Sequence, residues 1–397
     1  MSKRKIVIMS GDGIGKVVLP EALRVLDKVG FEADYLEADI GWEFWVKEGN
    51  PLPQRTLDLL EEHRVGLFGA ITSKPKDHAD KELSHELKGK GYVYYSPIVG
   101  LRQHFNLDIC IRPCKTFKGN PLNFIRKDPQ GYVEPEIDVV IFRQNTEGLY
   151  GGVEWSNPSE QVYAALMTHP KFVKNFGDTP KSEISVSTRI FTKKATERII
   201  RAAFEHAKKY GYKSVTVCEK PNVIRETSGM MYKMAQQIQK ADYPEIELWN
   251  TNIDAQMMWL TKNPETYGVI VAGNMFGDIV SDGFAGLIGG LGFACSAQFN
   301  PDSGIGVFEP THGSAPKYAD YETSIVNPIA MIESACMMLD YLDEQEKATR
   351  IRKAISEVIR DGKVRCYDML KLKGSPDVIK QGAASTSEMT DTIMAKL

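Results

Sequence analysis

No apolar stretch in the 397-residue chain is long enough to cross a bilayer, which excludes a transmembrane helix. The opening Met1-Ser-Lys-Arg-Lys-Ile-Val-Ile-Met9 has a basic flank, but its apolar run is too short for a signal peptide, so a cytoplasmic protein is expected. Charge of one sign is also missing. A formal net charge of −3 gives no electrostatic reason to expect nucleic acid or a membrane surface as partner, which leaves small molecules or other subunits. The six cysteines (Cys110, Cys114, Cys218, Cys295, Cys336, Cys366) include no C-x-x-C pair, and several fall in apolar contexts; reduced, buried thiols are expected. Internal repeats and low-complexity tracts are absent as well, so solenoids and disordered arrays are excluded.

What is present is a soluble globular composition, 42% apolar and 25% charged, with length for two or three lobes. One stretch organises it: Tyr267-Gly-Val-Ile-Val-Ala-Gly-Asn-Met-Phe-Gly-Asp-Ile-Val-Ser-Asp282. Val269–Ala272 reads as a buried strand that breaks at Gly273-Asn274 into a helix. There Asp278 and Asp282 stand four residues apart, on one face and about 5–6 Å apart at Cβ. Two carboxylates so placed repel unless a positive charge sits between them, and oxygen-only donors suit Mg²⁺ or Mn²⁺. Gly283, Gly286, Gly289, Gly290 and Gly292 follow, a poor ordinary helix but one that allows close approach of neighbours.

Alternating strand and helix patterns along the rest predict an α/β layer structure. Lys5–Ser10, Gly11-Asp-Gly-Ile-Gly15 and the helical pattern to Gly30 suggest a phosphate cradle, although the spacing is not the dinucleotide G-x-G-x-x-G. Ser96-Pro97 marks a helix start, with Arg102 at its far end. Arg112 and Arg143 close apolar strands, and three arginines at element ends in one window can converge on a polyanion. From Gly151 to Lys181 the apolar rhythm falters, as in an excursion or arm. Thr192 is placed to cap the helix to Tyr210, and Asp343 the one to Arg360. Lys220 follows a buried strand, where it can serve as a tuned proton acceptor. Asp254 opens a Met-rich helix. The loop at His312-Gly-Ser-Ala-Pro316, between a strand and the helix Pro328–Tyr341, can wrap a ligand.

In order along the chain, Gly11-Asp-Gly-Ile-Gly15, Leu101-Arg102, Ile111-Arg-Pro113, Arg143-x-Asn-Thr-Glu-Gly-x-Tyr150, Asn274-Met-Phe-Gly-Asp-Ile-x-Ser-Asp282 and His312-Gly-Ser-Ala-Pro316 resemble the isocitrate/isopropylmalate dehydrogenases, metal-dependent β-decarboxylating enzymes. The resemblance implies an α/β fold that is not of the Rossmann type: two α/β domains with a large mixed sheet flanked by helices. Residues 1–107 and 289–397 would form the large, cofactor-side domain, 108–150 and 187–288 the small one at the dimer interface, and 151–186 a clasp-like arm. It further implies a homodimer with shared active sites. Asp278 and Asp282 match the metal ligands, with Asp254 supplied by the partner. Arg102, Arg112 and Arg143 match the carboxylate-binding arginines, joined by Ser96. Tyr150 and Lys220 match the acid/base pair, Lys220 again crossing from the partner. Cofactor contacts map onto Thr72, His312, Gly313, Ser314, Ala315, Lys317, Tyr318, Asn327, Tyr367 and Lys371.

The resemblance also bears on specificity. Lys317-Tyr318 and Tyr367 are similar to NADP-dependent isocitrate dehydrogenases, since a 2′-phosphate needs cations and hydroxyl donors, whereas NAD is expected to meet an acid. Asp320 stands where glycine is common, Lys371 where arginine is usual and Gln144 where glutamate is frequent. Ser96 and Trp155 resemble isocitrate enzymes. Ile98 replaces their asparagine, and Ile98 or Val99 could line a pocket for an aliphatic substituent. The expectation is oxidative decarboxylation of isocitrate with NADP and Mg²⁺ or Mn²⁺. Homoisocitrate or 3-isopropylmalate with NAD is the alternative, and a non-catalytic regulatory subunit is a further one from a different class.

Overall fold

The computed structural model describes residues 3–397, apart from the side chains of Lys76 and Asp77, so the first two residues of the basic flank lie outside the described residues. The chain opens with β1 (Arg4–Gly11), α1 (Gly15–Lys28), β2 (Ala33–Glu37), α2 (Trp42–Glu48), α3 (Gln54–His63), β3 (Val65–Ala70), α4 (Lys76–Glu82) and α5 (Pro97–His104). Next come β4 (Ile109–Lys115), the hairpin β5 (Arg126–Asp128) and β6 (Gly131–Val133), and β7 (Asp138–Gln144). There follow β8 (Glu154–Ser156), α6 (Glu160–Met167), α7 (Pro170–Phe176) and β9 (Ser185–Ser187). Then follow α8 (Lys193–Tyr210), β10 (Ser214–Glu219), α9 (Thr227–Asp242), β11 (Glu247–Asn252), α10 (Ile253–Trp259), β12 (Val269–Ala272) and α11 (Asn274–Leu287). The chain closes with β13 (Cys295–Asn300), β14 (Ile305–Pro310), α12 (Ile329–Tyr341), α13 (Gln345–Asp361) and α14 (Thr386–Met394).

Ten strands form one mixed sheet in the order β11-β10-β12-β7-β4-β13-β14-β3-β1-β2. Two parallel runs, β11-β10-β12-β7 and β14-β3-β1-β2, meet through the antiparallel strands β4 and β13 at its centre. The first run and β4 come from residues 109–272, the second and β13 from residues 4–70 and 295–310. Strands covered on both faces have no reason to alternate, so β3, β10, β12 and β14 are buried throughout. This is the α/β architecture expected, and its order is not that of a dinucleotide-binding Rossmann sheet.

Helix α8 buries Thr196, Ile199, Ile200, Ala203, Phe204 and Ala207, a helical stripe, and the Thr192 hydroxyl caps it by accepting from the Ala195 amide at 3.3 Å. Asp343 does not cap α13. It sits at φ 62° two residues before the helix, where its carboxylate takes only a 3.4 Å contact from the Gln345 side chain. Along α11 the glycines allow close packing: a Cβ on Gly277 would stand 2.8 Å from the Arg143 side chain, and one on Gly283 2.9 Å from Met257. Between β7 and α8 the chain pairs β8 with β9, and of residues 151–186 only Pro158 is buried. All six cysteines are free and buried, and no helix among the described residues is long and apolar enough to cross a membrane.

Candidate active site

The sheet centre places two arginines side by side, because antiparallel pairing sets Cys110 opposite Arg143 and Arg112 opposite Ile141. Both are buried, and both point to α11. Arg112 Nη1 donates to Asp278 Oδ1 (2.9 Å), Ser281 Oγ (2.8 Å) and Asp282 Oδ1 (3.4 Å). Arg143 Nη1 donates to the same Asp278 oxygen, while its Nε and Nη2 donate to Asn274 Oδ1 at 2.9 and 2.7 Å. The Tyr150 hydroxyl lies 3.3 Å from Asp278 Oδ2, and the Arg143 guanidinium faces the Tyr150 ring at 5.5 Å.

Burial alone would raise the Asp278 pKa, but Arg143, Arg112 and Arg102 together outweigh it and hold the carboxyl below its usual value. Asp282, one turn on, titrates the other way: burial raises it, Asp278 adds to that, and Arg112 only partly compensates. Burial and the Arg112 charge push Arg143 down to about 10. Tyr150 is raised by burial and by Asp278, which keeps its proton in place. Arg102 stands a step back. Its Nε donates to Gln298 Oε1 (2.6 Å) and its Nη2 to Glu309 Oε1 (2.8 Å), buried groups on β13 and β14.

Lys220 and Asp254 form a second group. Lys220 follows β10, Asp254 lies in the first turn of α10 after the neighbouring β11, and the two side chains are joined by an ion pair. That hydrogen bond lowers the Asp254 pKa. Among the described residues no three His, Cys, Asp or Glu side chains of one chain come together as an ion site, so Asp254 is not brought to Asp278 and Asp282.

The loop after β14 forms a third group. Ser314 Oγ meets Thr72 Oγ1 at 2.7 Å, and Ala315 adopts φ 35°, rare for a residue with a Cβ. Gly313 is exposed beside His312, whose Nδ1 stands 3.0 Å from the Gly313 carbonyl; the ring Nε2 is buried without a partner, and burial lowers the His312 pKa. Lys317 Nζ lies 4.6 Å from the Tyr318 ring, which stands 5.7 Å from that of Tyr367. Asn327 donates to Asp368 (3.0 Å) and accepts from the Ile329 amide (3.0 Å). Lys371 is exposed on a left-handed turn at φ 54°.

The glycine loop after β1 is not a phosphate cradle. Three of its amides are spent inside the protein: Asp12 on Ala70 O, Ile14 on Ser314 O and Gly15 on Asp12 O, at 2.7–3.0 Å. Side chains at Gly11, Gly13 or Gly15 would collide with backbone at 2.0–2.3 Å, so these glycines serve the close approach of chains. Ser96 occupies the position before α5 without a capping hydrogen bond. Ile98 packs into the core with Leu101 and Phe105, which leaves Val99 on the helix face of Ser96 and Arg102. Gln144 turns its Oε1 to the amides of Thr146 (3.2 Å) and Glu147 (2.8 Å), an acceptor role that does not need a carboxylate.

Residues 5–393 match the pattern of isocitrate/isopropylmalate dehydrogenase. The chain is similar over 98% of its length, at 36% identity, to homoisocitrate dehydrogenase of Methanocaldococcus jannaschii, covering 96% of that protein. It is also 36% identical to protein DlpA of Legionella pneumophila over 98% of the chain, but spans only 58% of that relative's length. The crystal structure of isocitrate dehydrogenase from Methylococcus capsulatus superposes with a TM-score of 0.80 at 32% identity, covering 99% of both chains. The chain belongs to the isocitrate/isopropylmalate dehydrogenase family.

Members of this family are oxidative decarboxylating dehydrogenases that act on small hydroxy acids with NAD(P) and a divalent metal. Besides DlpA, relatives of this chain include proteins named isocitrate, homoisocitrate and isopropylmalate dehydrogenase. The residues present fit both groups. Asp278 and Asp282 offer only oxygen donors, one helical turn apart and partly open to solvent, as a hard cation requires. In the loop that holds the strained Ala315, His312 Nε2 is a buried polar atom without a protein partner, which is compatible with a cofactor contact there. Sequence reasoning missed Asn274 as the clamp on Arg143, and Gln298 and Glu309 as the support of Arg102. A polar residue directly after the Gly273 break was the one available signal.

Proposed function

We propose that this chain is an isocitrate dehydrogenase that uses NADP. The observation that carries this reading is the meeting of Arg112 and Arg143 at Asp278, with Arg102 close enough to depress the same carboxyl. Arg112 keeps a buried Nε without a partner, so donors remain for a substrate with several carboxylates. The stretch Ser96-Pro-Ile-Val99 favours homoisocitrate as the second reading: Val99, on the helix face of Ser96 and Arg102, offers an apolar contact for the one additional methylene of that acid.

Asp278 and Asp282, with Asp254 of a second copy, would hold the divalent cation, which supplies charge stabilisation at the substrate oxygens. His312 to Tyr318 with Tyr367 would hold NADP, which supplies the hydride acceptor, and Lys317 and Lys371 would face its 2′-phosphate. The arginines bind and orient the carboxylates. Lys220 of the second copy takes the proton from the 2-hydroxyl as C2 is oxidised, and the β-carboxylate then leaves C3 as CO₂. Tyr150, whose raised pKa keeps it protonated, returns a proton to C3. In this reading the two halves of the sheet are the two domains, and the arm at 151–186 embraces the partner. The separation of Lys220 and Asp254 from the arginine group within one chain supports such sharing.

The test is reduction of NADP and of NAD by purified protein with Mg²⁺, offered isocitrate, homoisocitrate and 3-isopropylmalate in parallel. Turnover mainly with isocitrate and NADP is expected. Preference for homoisocitrate moves the enzyme to the second reading, and no turnover with any acid overturns both.

A further inference from the structure

The residue before Lys220 is a glutamate with no exposure at all, and each of its oxygens is spoken for. Glu219 Oε1 accepts from the amide of Gly273 at 2.8 Å. Its Oε2 accepts from Arg189 Nη2 at 2.8 Å and from the Ser228 hydroxyl at 2.5 Å. Arg189 is itself fixed: its Nη1 donates to Thr227 and Ser228 at 2.8 and 2.9 Å, and its guanidinium lies against the rings of Phe191 and Phe276, at 4.4 and 5.0 Å. No side chain fits at 273, where a Cβ would stand 2.7 Å from the Glu219 carboxylate.

A buried ion pair is a poor way to gain stability, since apolar residues of similar volume often do as well. Its value lies in placing groups, and here the group placed is the first amide before α11. The next residue is Asn274, which grips Arg143, and one turn later is Asp278. On the other side of Glu219 the chain continues directly into Lys220. We propose that Glu219 is a positioning residue: held by Arg189 and Ser228, it pins Gly273 so that Asn274 aims Arg143 at the substrate, in fixed register with the strand end that carries Lys220. The proposal rests on the reading of Arg143 and Lys220 given above.

Glu219→Asp keeps the charge that Arg189 needs but withdraws the carboxylate from Gly273. Misplacing Arg143 should raise KM for the hydroxy acid about tenfold or more, with KM for the dinucleotide within about twofold. A merely structural role would instead lower the folded, active fraction and leave both constants of that fraction alone. Hydroxy-acid KM within about twofold of wild type in folded Glu219→Asp overturns the proposal. Should that variant not fold, Ser228→Ala decides. It removes one support of the carboxylate and should raise hydroxy-acid KM roughly threefold, and an unchanged KM there overturns the proposal equally. A wild-type protein inactive on every acid would reject the functional reading, an outcome separate from an active wild type with an indifferent variant.

Discussion

Asn274 holds Arg143 with a single oxygen, which accepts from Nε at 2.9 Å and from Nη2 at 2.7 Å. Its amide nitrogen in turn donates to the Glu147 carbonyl at 3.1 Å, so the clamp is itself anchored to the loop that leads from β7 to Tyr150. Arg143 is almost wholly buried. Two of its donors therefore have no water to turn to when the clamp is lost. Asn274→Ala should destabilise the fold by about 1–3 kcal/mol, the cost of buried donors left without partners. It should also raise KM for the hydroxy acid by roughly one to two orders of magnitude, because a freed guanidinium no longer meets a carboxylate in fixed geometry. Thermal melts and steady-state kinetics on the same preparation measure both.

A different outcome is expected one turn further along α11. The Asp282 side chain is 60% exposed even though its carboxyl is partly desolvated against the site, and among the described residues its ion-pair partner is Arg112, at 3.4 Å. Asp282→Asn keeps the shape, and because the buried Arg112 retains Asp278 and Ser281 as closer partners, losing this long contact to a largely exposed carboxylate costs little, about 0–1 kcal/mol. The variant should melt near the wild-type midpoint yet lose metal-dependent turnover and, independently, weaken Mn²⁺ binding measured by calorimetry by about tenfold or more. Near-normal turnover and Mn²⁺ affinity would reject Asp282 as a ligand.

Much of this was legible in the sequence, and the physics explains which parts. Val269–Ala272 and Val139–Phe142 are continuous apolar runs because both faces of those strands are covered, so their existence and the residues at their ends could be read directly. The arginine convergence was legible for the same reason, since Arg112 and Arg143 lie in or at the end of such runs. The Gly11–Gly15 loop was misread because glycines that cradle a phosphate and glycines that let two backbones touch look alike; only the direction of the amides separates them. Asp343 was misread because a residue at φ 62° cannot take the extended conformation that a capping residue needs. Gln298, Glu309 and Glu219 act across strands distant in sequence, and no local pattern marks them.

Away from the site, His206 gives the fold a pH dependence whose sign follows from its surroundings. It lies on α8 among Phe142, Tyr210 and Tyr212, at ring distances of 5.2, 4.4 and 5.8 Å. Burial, helped by Lys115 and Lys209, pushes its pKa down to about 4, from the ordinary 6.5. The unfolded chain therefore takes up this proton first. Its contribution to stability is complete above about pH 6.5, shrinks as the pH falls below that value, and is fully lost once the folded protein also titrates near 4. The ceiling is roughly 3 kcal/mol, less what solvent screening removes from a ring that is only partly enclosed. His206→Phe keeps an aromatic ring among the same neighbours and removes the titration. Denaturant unfolding of the two proteins between pH 4 and 7 should give curves that diverge toward acid, the variant falling less steeply; parallel curves would show that this histidine is not buried in its neutral form.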